Sequence, residues 1–535
     1  MFLFSEDKKV KTFFFFLACL AGIILLYPFL DFQPLLSQGD HGANLYAFQQ
    51  TADGKIPYKD FWYPYGPLMP YYYAFFLNIF GDNIQSVLIG FCFLKFLAGI
   101  FCFLALSRVV SAFLAFIGSV WFWVFTPDFF ITFNHNAVFT LALAALYCLF
   151  SYIKTSRKTD IALGLLSLFL ILLIRVNMGV FLSLGFFICV FWIDAVKKTC
   201  FFKFNKIFSG ILLSLLLLVS LLLFYLFSSR FPSYSLKDYS GYFHVLLSPF
   251  EFIYRTKFYL QNMIAQNISS WQGLFFLAAA LGAIGQTIML FISSRTDKNL
   301  KNILMLTLGT TLIFMFFSSH EYLASGITYR LLWMAPFEII FLFLCLGFGT
   351  RGFSPLILSL IYFTILLIPL RNALAASGII QQIKRPRQYL ALKRGHIYTA
   401  NSPQWVKTVT QTTQYLDHHL KEDESFLALP YEPLYYFTTG KKSPLWHLLL
   451  IGATSLNQAE EQNMIQTLEE KKINYIVLSN RAYSRERGLG ILGETYLKSL
   501  YQYIVKNFEE VETFGNWEAP AGWVTNHATK IFKRK

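Results

Sequence analysis

The chain has 535 residues, of which 56% are hydrophobic, 19% aromatic and only 14% charged, and its mean hydropathy is +0.49. Soluble globular proteins carry roughly 25% charged residues, so this composition excludes an ordinary soluble protein and predicts a polytopic membrane protein. The formal charge of +15 comes from Lys and Arg that fall mostly in short loops between apolar runs, a pattern typical of membrane topology rather than of a nucleic-acid surface.

Apolar runs close to the ~20 residues needed to cross a bilayer predict about eleven membrane helices. The predicted spans lie at 12–30, 84–106, 109–126, 135–153, 160–174, 178–196, 207–228, 271–293, 301–317, 329–349 and 354–370. The run 160–196 has clustered Lys and Arg beyond both of its ends, so both ends belong on one side of the membrane. We therefore predict a helical hairpin that turns at 175–177.

The distribution of Lys and Arg also predicts the orientation of the chain. Positive residues recur at alternate span ends, and the positive-inside rule then places the N-terminus in the cytoplasm. A first external loop at 31–83, a second at 229–270 and everything after about residue 371 fall on the outer face. We predict a transmembrane module over 1–370 and an extracytoplasmic α/β domain over 371–535.

The α/β assignment depends on alternation within the polar C-terminal region. Helical stretches at 403–421, 457–471 and 494–507 alternate with short apolar runs at 426–429 and 473–478. Short buried strands between amphipathic helices are typical of a small α/β fold, and about 150 residues suffice for a separate core.

Asp40 is the most informative polar residue of the first external loop. It follows the first span within the sequence SQGDHG, where two glycines let the backbone turn tightly and approach a ligand closely. A carboxylate at the membrane edge, partly removed from water, suits a general base or a cation ligand. From position alone, a solvated loop aspartate beside a turn is an equally good explanation.

The segment that follows Asp40 resembles the first external loop of the bacterial GT-C glycosyltransferases. It contains Tyr46, the sequence DGKIPYKDF at 53–61 and the Pro/Gly segment YPYGP at 63–67. Enzymes of this class are polytopic, are similar to the protein O-mannosyltransferases and the lipid A aminoarabinose transferases, and use polyprenyl-phosphate sugars. The overall plan and the segments at 435–444 and 473–478 are similar too, so the resemblance implies a GT-C-like membrane fold.

The resemblance implies roles for two aspartates. Asp40 takes the place of the family's first-loop acidic residue, the base that accepts the proton of the acceptor hydroxyl. His41 stands where many members have a second acidic residue. Asp128 is the candidate for the acidic residue of the second external loop, although an ordinary loop aspartate after Pro127 explains it equally well.

A phosphate leaving group requires positive charge on the outer face. Arg175 and Arg330 are the predicted phosphate-binding cations, and for each the alternative is a charge that snorkels to the interface. Arg175 stands out because it lies in an apolar hairpin on the side where positive charge is disfavoured. The remaining predicted substrate contacts are His41, Tyr46, Tyr58, Asp60, Asn177, His320 and Glu321. Whether Asp60 contacts substrate or only fixes the loop is open.

The same outer-face residues leave room for a divalent cation, Mg, Mn or Zn. Asp40 and Asp128 are its predicted ligands, with histidine nitrogens nearby in sequence as further donors. No spacing among these residues is diagnostic of a metal site.

The sequence therefore predicts a hexosyl- or pentosyltransferase of the bacterial cytoplasmic (inner) membrane, active in the cell envelope. It would move a sugar from a polyprenyl-phosphate donor to a lipid, glycan or protein acceptor on the outer face. A transporter or flippase is the alternative from another class, and Lys95 is the clearest mid-span charge in its favour. A non-catalytic scaffold is a third, and it would leave Asp40 replaceable.

Overall fold

The structure is a computed structural model. It describes residues 8–125, 133–197, 298–325, 333–349, 386–452, 456–484, 490–522 and 524–535, with the single residues 285, 288 and 330. The predicted spans at 207–228 and 354–370, the span at 271–293 apart from residues 285 and 288, the predicted external loop at 229–270 and the predicted site residue Asp128 lie outside the described residues.

The first part of the chain is helical. Its helices are α1 (Lys8–Leu26), α2 (Asp40–Ala52), α3 (Leu68–Phe80), α4 (Ile84–Ser107), α5 (Ala112–Phe125), α6 (Phe133–Thr155), α7 (Lys158–Ile174), α8 (Val176–Lys197), α9 (Lys298–Ser318), α10 (His320–Ser325) and α11 (Ala335–Gly349). By length and composition, five helices within the described ranges can cross a membrane: α1 with the 3-10 turn that extends it to Phe29, α4, α6, α8 and α9. The predicted helical membrane fold is confirmed for this part.

The predicted hairpin turn is confirmed at Arg175. Helix α7 ends at Ile174, Arg175 is extended with φ −145° and ψ 106°, and α8 begins at Val176. The segment at 63–67 packs against this break, because the amide of Gly66 donates to the carbonyl of Ile174 at 2.8 Å. A β-carbon at Gly66 would lie 2.1 Å from the carbonyl oxygen of Leu173, so only glycine permits this contact.

The predicted first external loop contains two helices, α2 and α3, that the sequence analysis did not assign. Helix α2 is buried from His41 to Thr51. It is not amphipathic, because both α3 and the C-terminal helix at 434–439 pack against it. A helix enclosed on all sides has no polar face to produce a periodic signal.

The C-terminal region is an α/β fold, as predicted. Its elements are β2 (Gln388–Leu392), β3 (Gly395–Thr399), α12 (Pro403–His419), β4 (Phe426–Leu429), α13 (Leu434–Thr439), α14 (Gln458–Glu470), β5 (Tyr475–Ser479), α15 (Lys498–Asn507), β6 (Phe508–Phe514) and β7 (Thr529–Arg534). One sheet has the order β4-β5-β7-β6, with β4 parallel to β5 and the other pairs antiparallel. Every residue of β4 and β5 is buried, which explains their continuous apolar sequence.

A second sheet joins the two ends of the chain. Strand β1 (Phe32–Gln33), immediately after the first membrane helix, pairs in parallel with β3, and β3 pairs with β2. Asn401 continues this contact, because its side chain accepts from the amide of Leu36 at 3.1 Å and donates to the carbonyl of Leu36 at 2.6 Å. The first external segment is thus part of the C-terminal fold, and the predicted boundary at 370/371 stays a prediction.

Candidate functional site

Asp40 is the first residue of α2, and close packing against the C-terminal region fixes its position. A β-carbon at Gly39 would lie 2.6 Å from the ring of Tyr431, and one at Gly42 would lie 2.3 Å from the backbone nitrogen of Leu434. The two glycines next to Asp40 therefore permit a close approach, as predicted, but the partner is the segment Tyr431 to Leu434.

The carboxylate of Asp40 is half-buried and hydrogen-bonded. The hydroxyl of Tyr431 donates to Oδ1 of Asp40 at 3.0 Å. Burial raises the pKa of Asp40, while the bond from Tyr431 and the charges of Arg481 and Arg175 act in the opposite direction. A carboxylate whose pKa is raised toward the working pH is better suited to act as a general base than one with an ordinary pKa.

Arg481 reaches the site from the C-terminal region, directly after β5. It is only 1% exposed and acts electrostatically on Asp40, Glu432 and His527. Glu432 accepts from the hydroxyl of Ser479 at 2.6 Å, and burial raises its pKa to about 8. Burial lowers the pKa of His527 to about 3, so this histidine is neutral. Arg481 thus provides a positive charge beneath Asp40.

A second group of polar residues surrounds Glu321 in α10. Oε1 of Glu321 accepts from Arg175 at 2.5 Å and from Asn177 at 2.9 Å, and Oε2 accepts from the indole of Trp333 at 2.9 Å. Burial alone would raise the pKa of Glu321, but Arg175 and then His135 and His320 hold it well below its usual value. Glu321 is therefore ionised and fixes the guanidinium of Arg175.

The predicted residues His320 and Arg330 belong to the same group. His320 stacks on Phe181 with the ring centroids 4.4 Å apart, and its Nε2 lies 3.3 Å from the amide nitrogen of Asn177. Burial lowers the pKa of His320 to about 4, so the ring is neutral. Arg330 is half-buried and acts electrostatically on His320 and on His135. The structure thus brings Arg175, Asn177, His320, Glu321 and Arg330 together.

Side chains of the first external loop connect this group to Asp40. The amide of Asn44 donates to the carbonyl of Asp40 at 2.7 Å, and its oxygen accepts from the hydroxyl of Tyr63 at 2.9 Å. The ring of Tyr63 lies 5.7 Å from that of Tyr65, and Arg175 lies 5.0 Å from the centroid of Tyr65. Since Arg175 also acts electrostatically on Asp40, the two groups form one site.

Two predicted contacts in α2 are engaged with protein. Nδ1 of His41 lies 2.9 Å from the hydroxyl and 3.2 Å from the amide of Ser37. Burial lowers the pKa of His41 to about 4. The hydroxyl of Tyr46 accepts from the amide of Ser443 at 3.0 Å and so attaches α2 to the C-terminal region.

Two further predicted contacts hold the loop after α2. The hydroxyl of Tyr58, a residue with φ +68°, donates to the carbonyl of Tyr65. Oδ2 of Asp60 accepts from the amide of Ile56 at 2.8 Å and is exposed. Asp60 thus fixes the turn through Ile56, and its predicted contact with substrate stays a prediction.

The described residues around Asp40 do not by themselves assemble a metal site. Among the residues that the structure describes, no group of three His, Cys, Asp or Glu side chains could hold a metal ion. The groups that act on Asp40 are a tyrosine hydroxyl and two guanidinium groups, and the guanidiniums would repel a cation. Asp128, the second predicted ligand, lies outside the described residues.

The sequence analysis missed three residues of this site: Tyr431, Arg481 and Trp333. Tyr431 and Arg481 act on Asp40 from segments far away in the sequence, whereas Trp333 lies only 12 residues after Glu321, and no spacing marks any of the three. A partial signal existed in the polar residues Asn480 and Arg481, which directly follow the apolar strand β5.

The chain is similar to three solved structures of membrane glycosyltransferases. No protein-family model and no curated protein matches it. An oligosaccharyltransferase from Archaeoglobus fulgidus in complex with Zn and sulfate has a TM-score of 0.48 and 14% identity, over 88% of this chain and 68% of that one. ArnT from Cupriavidus metallidurans bound to undecaprenyl phosphate has a TM-score of 0.49 and 12% identity, over 97% of both chains. The arabinofuranosyltransferase AftD from Mycobacteria has a TM-score of 0.44 and 12% identity, over 99% of this chain and 40% of that one.

These proteins belong to the class that the first-loop segment resembles. At TM-scores below 0.5, the likeness decides neither the activity of this chain nor the roles of its residues. The function therefore has to be inferred from the side chains of the site.

Proposed function

We propose that this protein transfers a sugar from a polyprenyl-phosphate donor to an acceptor hydroxyl at the outer face of the bacterial cytoplasmic membrane. The observation that carries the proposal is the environment of Asp40. Its half-buried carboxylate accepts a hydrogen bond from Tyr431 and lies within the electrostatic reach of Arg481 and Arg175. A base beside positive charge, next to a membrane helix, suits transfer from a lipid phosphate.

In the proposed reaction, Asp40 acts as the general base. The acceptor hydroxyl oxygen attacks the anomeric carbon, the bond from that carbon to the phosphate oxygen breaks, and Asp40 takes the hydroxyl proton. The phosphate leaves with the bonding electrons as polyprenyl phosphate. No step of this scheme uses a metal ion.

Arg175 is the proposed phosphate-binding cation. Its guanidinium faces the site at the break between α7 and α8, where Glu321 holds it on one side and the ring of Tyr65 on the other. A fixed guanidinium can stabilise charge that grows on a departing phosphate without reorganising during the reaction. Arg330 adds positive charge on the same side.

The donor class follows from the resemblance of the first external loop. Asp40 lies ten residues after Leu30, the end of the predicted first span, and a position at the membrane edge suits a donor whose phosphate is attached to a lipid. The sugar, either a hexose or a pentose, and the acceptor class are left to experiment.

The test is release of free polyprenyl phosphate by the full-length protein in lipid, supplied with a panel of polyprenyl-phosphate sugars and mixed acceptors. We expect wild type to release the lipid phosphate and Asp40→Asn to lose at least about 100-fold in rate, because positioned general bases contribute about 10²–10⁴-fold. Asp53→Asn is the matched control, since Asp53 is an exposed carboxylate of the same segment and is not one of the predicted site residues.

Each other outcome has a defined meaning. Equal rates for wild type and Asp40→Asn would remove Asp40 as the base. Absence of release from every donor, with the protein shown to be folded, would overturn the transferase and favour the transporter or the scaffold. Lys95 is fully buried in α4 with its amine 5.2 Å from the ring centroid of Phe122, and its substitution would then be the next test.

A further inference from the structure

A cavity of about 690 Å³ lies at the end of the helical bundle opposite the candidate site. Helices α6 and α8 begin beside the site and end at the cavity, whereas α9 begins at the cavity and ends beside the site. At about 1.5 Å per residue, the cavity lies roughly 30 Å from the site along α6. It is thus a separate feature of the molecule, at the other predicted membrane surface.

Two kinds of side chain line the cavity. Lys154, Lys197, Asn299 and Asn302 supply amines and amides. The remaining wall is aliphatic and includes Leu300 and other side chains of the same three helices. Its volume falls within the ~300–1,000 Å³ typical of ligand pockets. A polar end beside an apolar wall matches a molecule that has a polar head and hydrocarbon chains.

Positive charge is concentrated around this cavity. The amine of Lys197 donates to the carbonyl of Ile153 at 2.5 Å and to the hydroxyl of Ser156 at 2.8 Å, which holds its charge at the cavity rim. Lys11 and Arg108 act electrostatically on Lys154 from the neighbouring helices. Lys154 is thus repelled by Lys11 and Arg108, and Lys197 lines the same cavity.

The carboxylates described near this end are already engaged. Asp194 accepts from the hydroxyl of Tyr152 at 2.6 Å, and Asp160 accepts from the hydroxyl of Thr155 at 2.8 Å. Asp194 also acts electrostatically on Lys197, and a bound anion beside Lys154 would offset the repulsion from Lys11 and Arg108. Basic pockets between membrane helices recognise anionic lipid head groups in this way.

We infer that this cavity binds the phosphate head group of an anionic phospholipid, with Lys154 and Lys197 at the phosphate and the acyl chains along the aliphatic wall. The two asparagines donate to the head group from α9. The inference is independent of the proposed transferase activity, because it uses none of the residues around Asp40 or Glu321.

The test is native mass spectrometry of the full-length protein reconstituted with equal amounts of phosphatidylglycerol and phosphatidylcholine. Wild type should retain phosphatidylglycerol preferentially. The double variant Lys154→Gln/Lys197→Gln should lose roughly fivefold in retention for each lysine, from about 1 kcal/mol per cation near an anionic surface. Lys158→Gln is the matched control, since Lys158 is an exposed cation at the same end that does not line the cavity.

Lys197 also holds the end of α6, so the double variant could fail to fold. Leu300→Trp avoids this difficulty because it fills the cavity from a half-buried position and leaves both lysines in place. It should lose the preference for phosphatidylglycerol without loss of thermal stability. Undiminished preference in a folded Leu300→Trp variant, or equal retention by wild type and the double variant, would overturn the inference.

Inorganic phosphate separates the two sources of a phosphate group. Millimolar phosphate should leave the retained phosphatidylglycerol in place, because the acyl chains contribute to its binding. Complete displacement by inorganic phosphate would overturn the lipid assignment and indicate a site for a soluble phosphate compound.

Discussion

Tyr431 connects Asp40 to a segment 391 residues further along the chain. A hydrogen bond to an ionised carboxylate stabilises the charged form and so lowers its pKa, whereas burial favours the protonated form. In Asp40 these effects oppose each other, and the net pKa is raised. Tyr431 therefore has a positioning role that separates it from residues that only fill space.

Replacing Tyr431 with Phe should raise the pKa of Asp40 further, because the hydroxyl that favours the carboxylate form is removed. The acid limb of the pH–rate profile should then move to higher pH. On the plateau above it, the rate should fall by less than it does at the acid limb. The measurement is the rate of polyprenyl phosphate release across the pH range for wild type and Tyr431→Phe. An unchanged acid limb would show that Tyr431 serves packing alone.

Glu321 is a buried charge whose partners are fixed around it. Glu321→Gln should lower the free energy of unfolding by about 3–5 kcal/mol, because Arg175 would keep a buried charge without its anion. The control is Glu510→Gln, which breaks the partly exposed ion pair with Lys530 and should cost about 0–1 kcal/mol. Thermal or denaturant unfolding in detergent compares them, and equal small losses would contradict the role of Glu321.

The lowered pKa of His41 should make the stability of the protein depend on pH. Burial lowers its pKa from 6.5 to about 4 in the folded protein, so the unfolded chain binds more protons in that interval. Stability is therefore complete above about pH 6.5 and falls toward pH 4, by up to about 1.4 kcal/mol per pH unit. His41→Asn should flatten this part of the profile, as unfolding measured between pH 4 and 7.5 would show. An identical slope would contradict a neutral His41.

At the scale of elements, the contact between α2 and the segment that begins α13 assembles the site. Gly39 and Gly42 bring the backbones together, and the amide of Leu434 donates to the carbonyl of Gln38 at 3.1 Å. The side chain of Gln38 adds bonds to Trp405 and His527. The loop that carries Asp40 is thus fixed by the C-terminal region.

Gly42→Ala should disrupt this contact. Its β-carbon would meet the backbone of Leu434 at 2.3 Å, and backbone cannot move aside as a flexible side chain can. We expect a loss of about 1–3 kcal/mol in stability together with most of the activity. Gly395→Ala is the control, since its nearest atom would lie at 3.4 Å. Unfolding and polyprenyl phosphate release measure both, and full activity of Gly42→Ala would contradict the close packing.

Which elements the sequence could predict depends on where their signal comes from. The local sequence predicts the membrane helices and β5, because a lipid-facing helix and a strand buried on both faces are continuous apolar runs. Helix α2 does not, since it is polar in composition yet buried by segments from both ends of the chain. Asp40 and Arg175 could be chosen from their positions, whereas Tyr431 and Arg481 become visible only when the chain folds back on itself.

At the scale of the whole molecule, the candidate site draws on segments spread along the chain. Asp40 comes from the first external segment, Arg175 from the break between α7 and α8, Glu321 from α10, and Tyr431 and Arg481 from the C-terminal region. The membrane helices and the soluble fold therefore each supply charged groups. Activity should depend on both parts being in contact.

The pairing of β1 with β3 also bears on how the protein is made. The 365 residues between Leu36 and Asn401 take roughly 20–70 s to synthesise at about 5–20 residues per second. During that time the newly synthesised β1 has no β3 to pair with, and Asp40 has no Tyr431. A chain arrested before β2 would present an open strand edge and an unfinished site, so the proposed activity should be absent until β3 and Tyr431 have been synthesised.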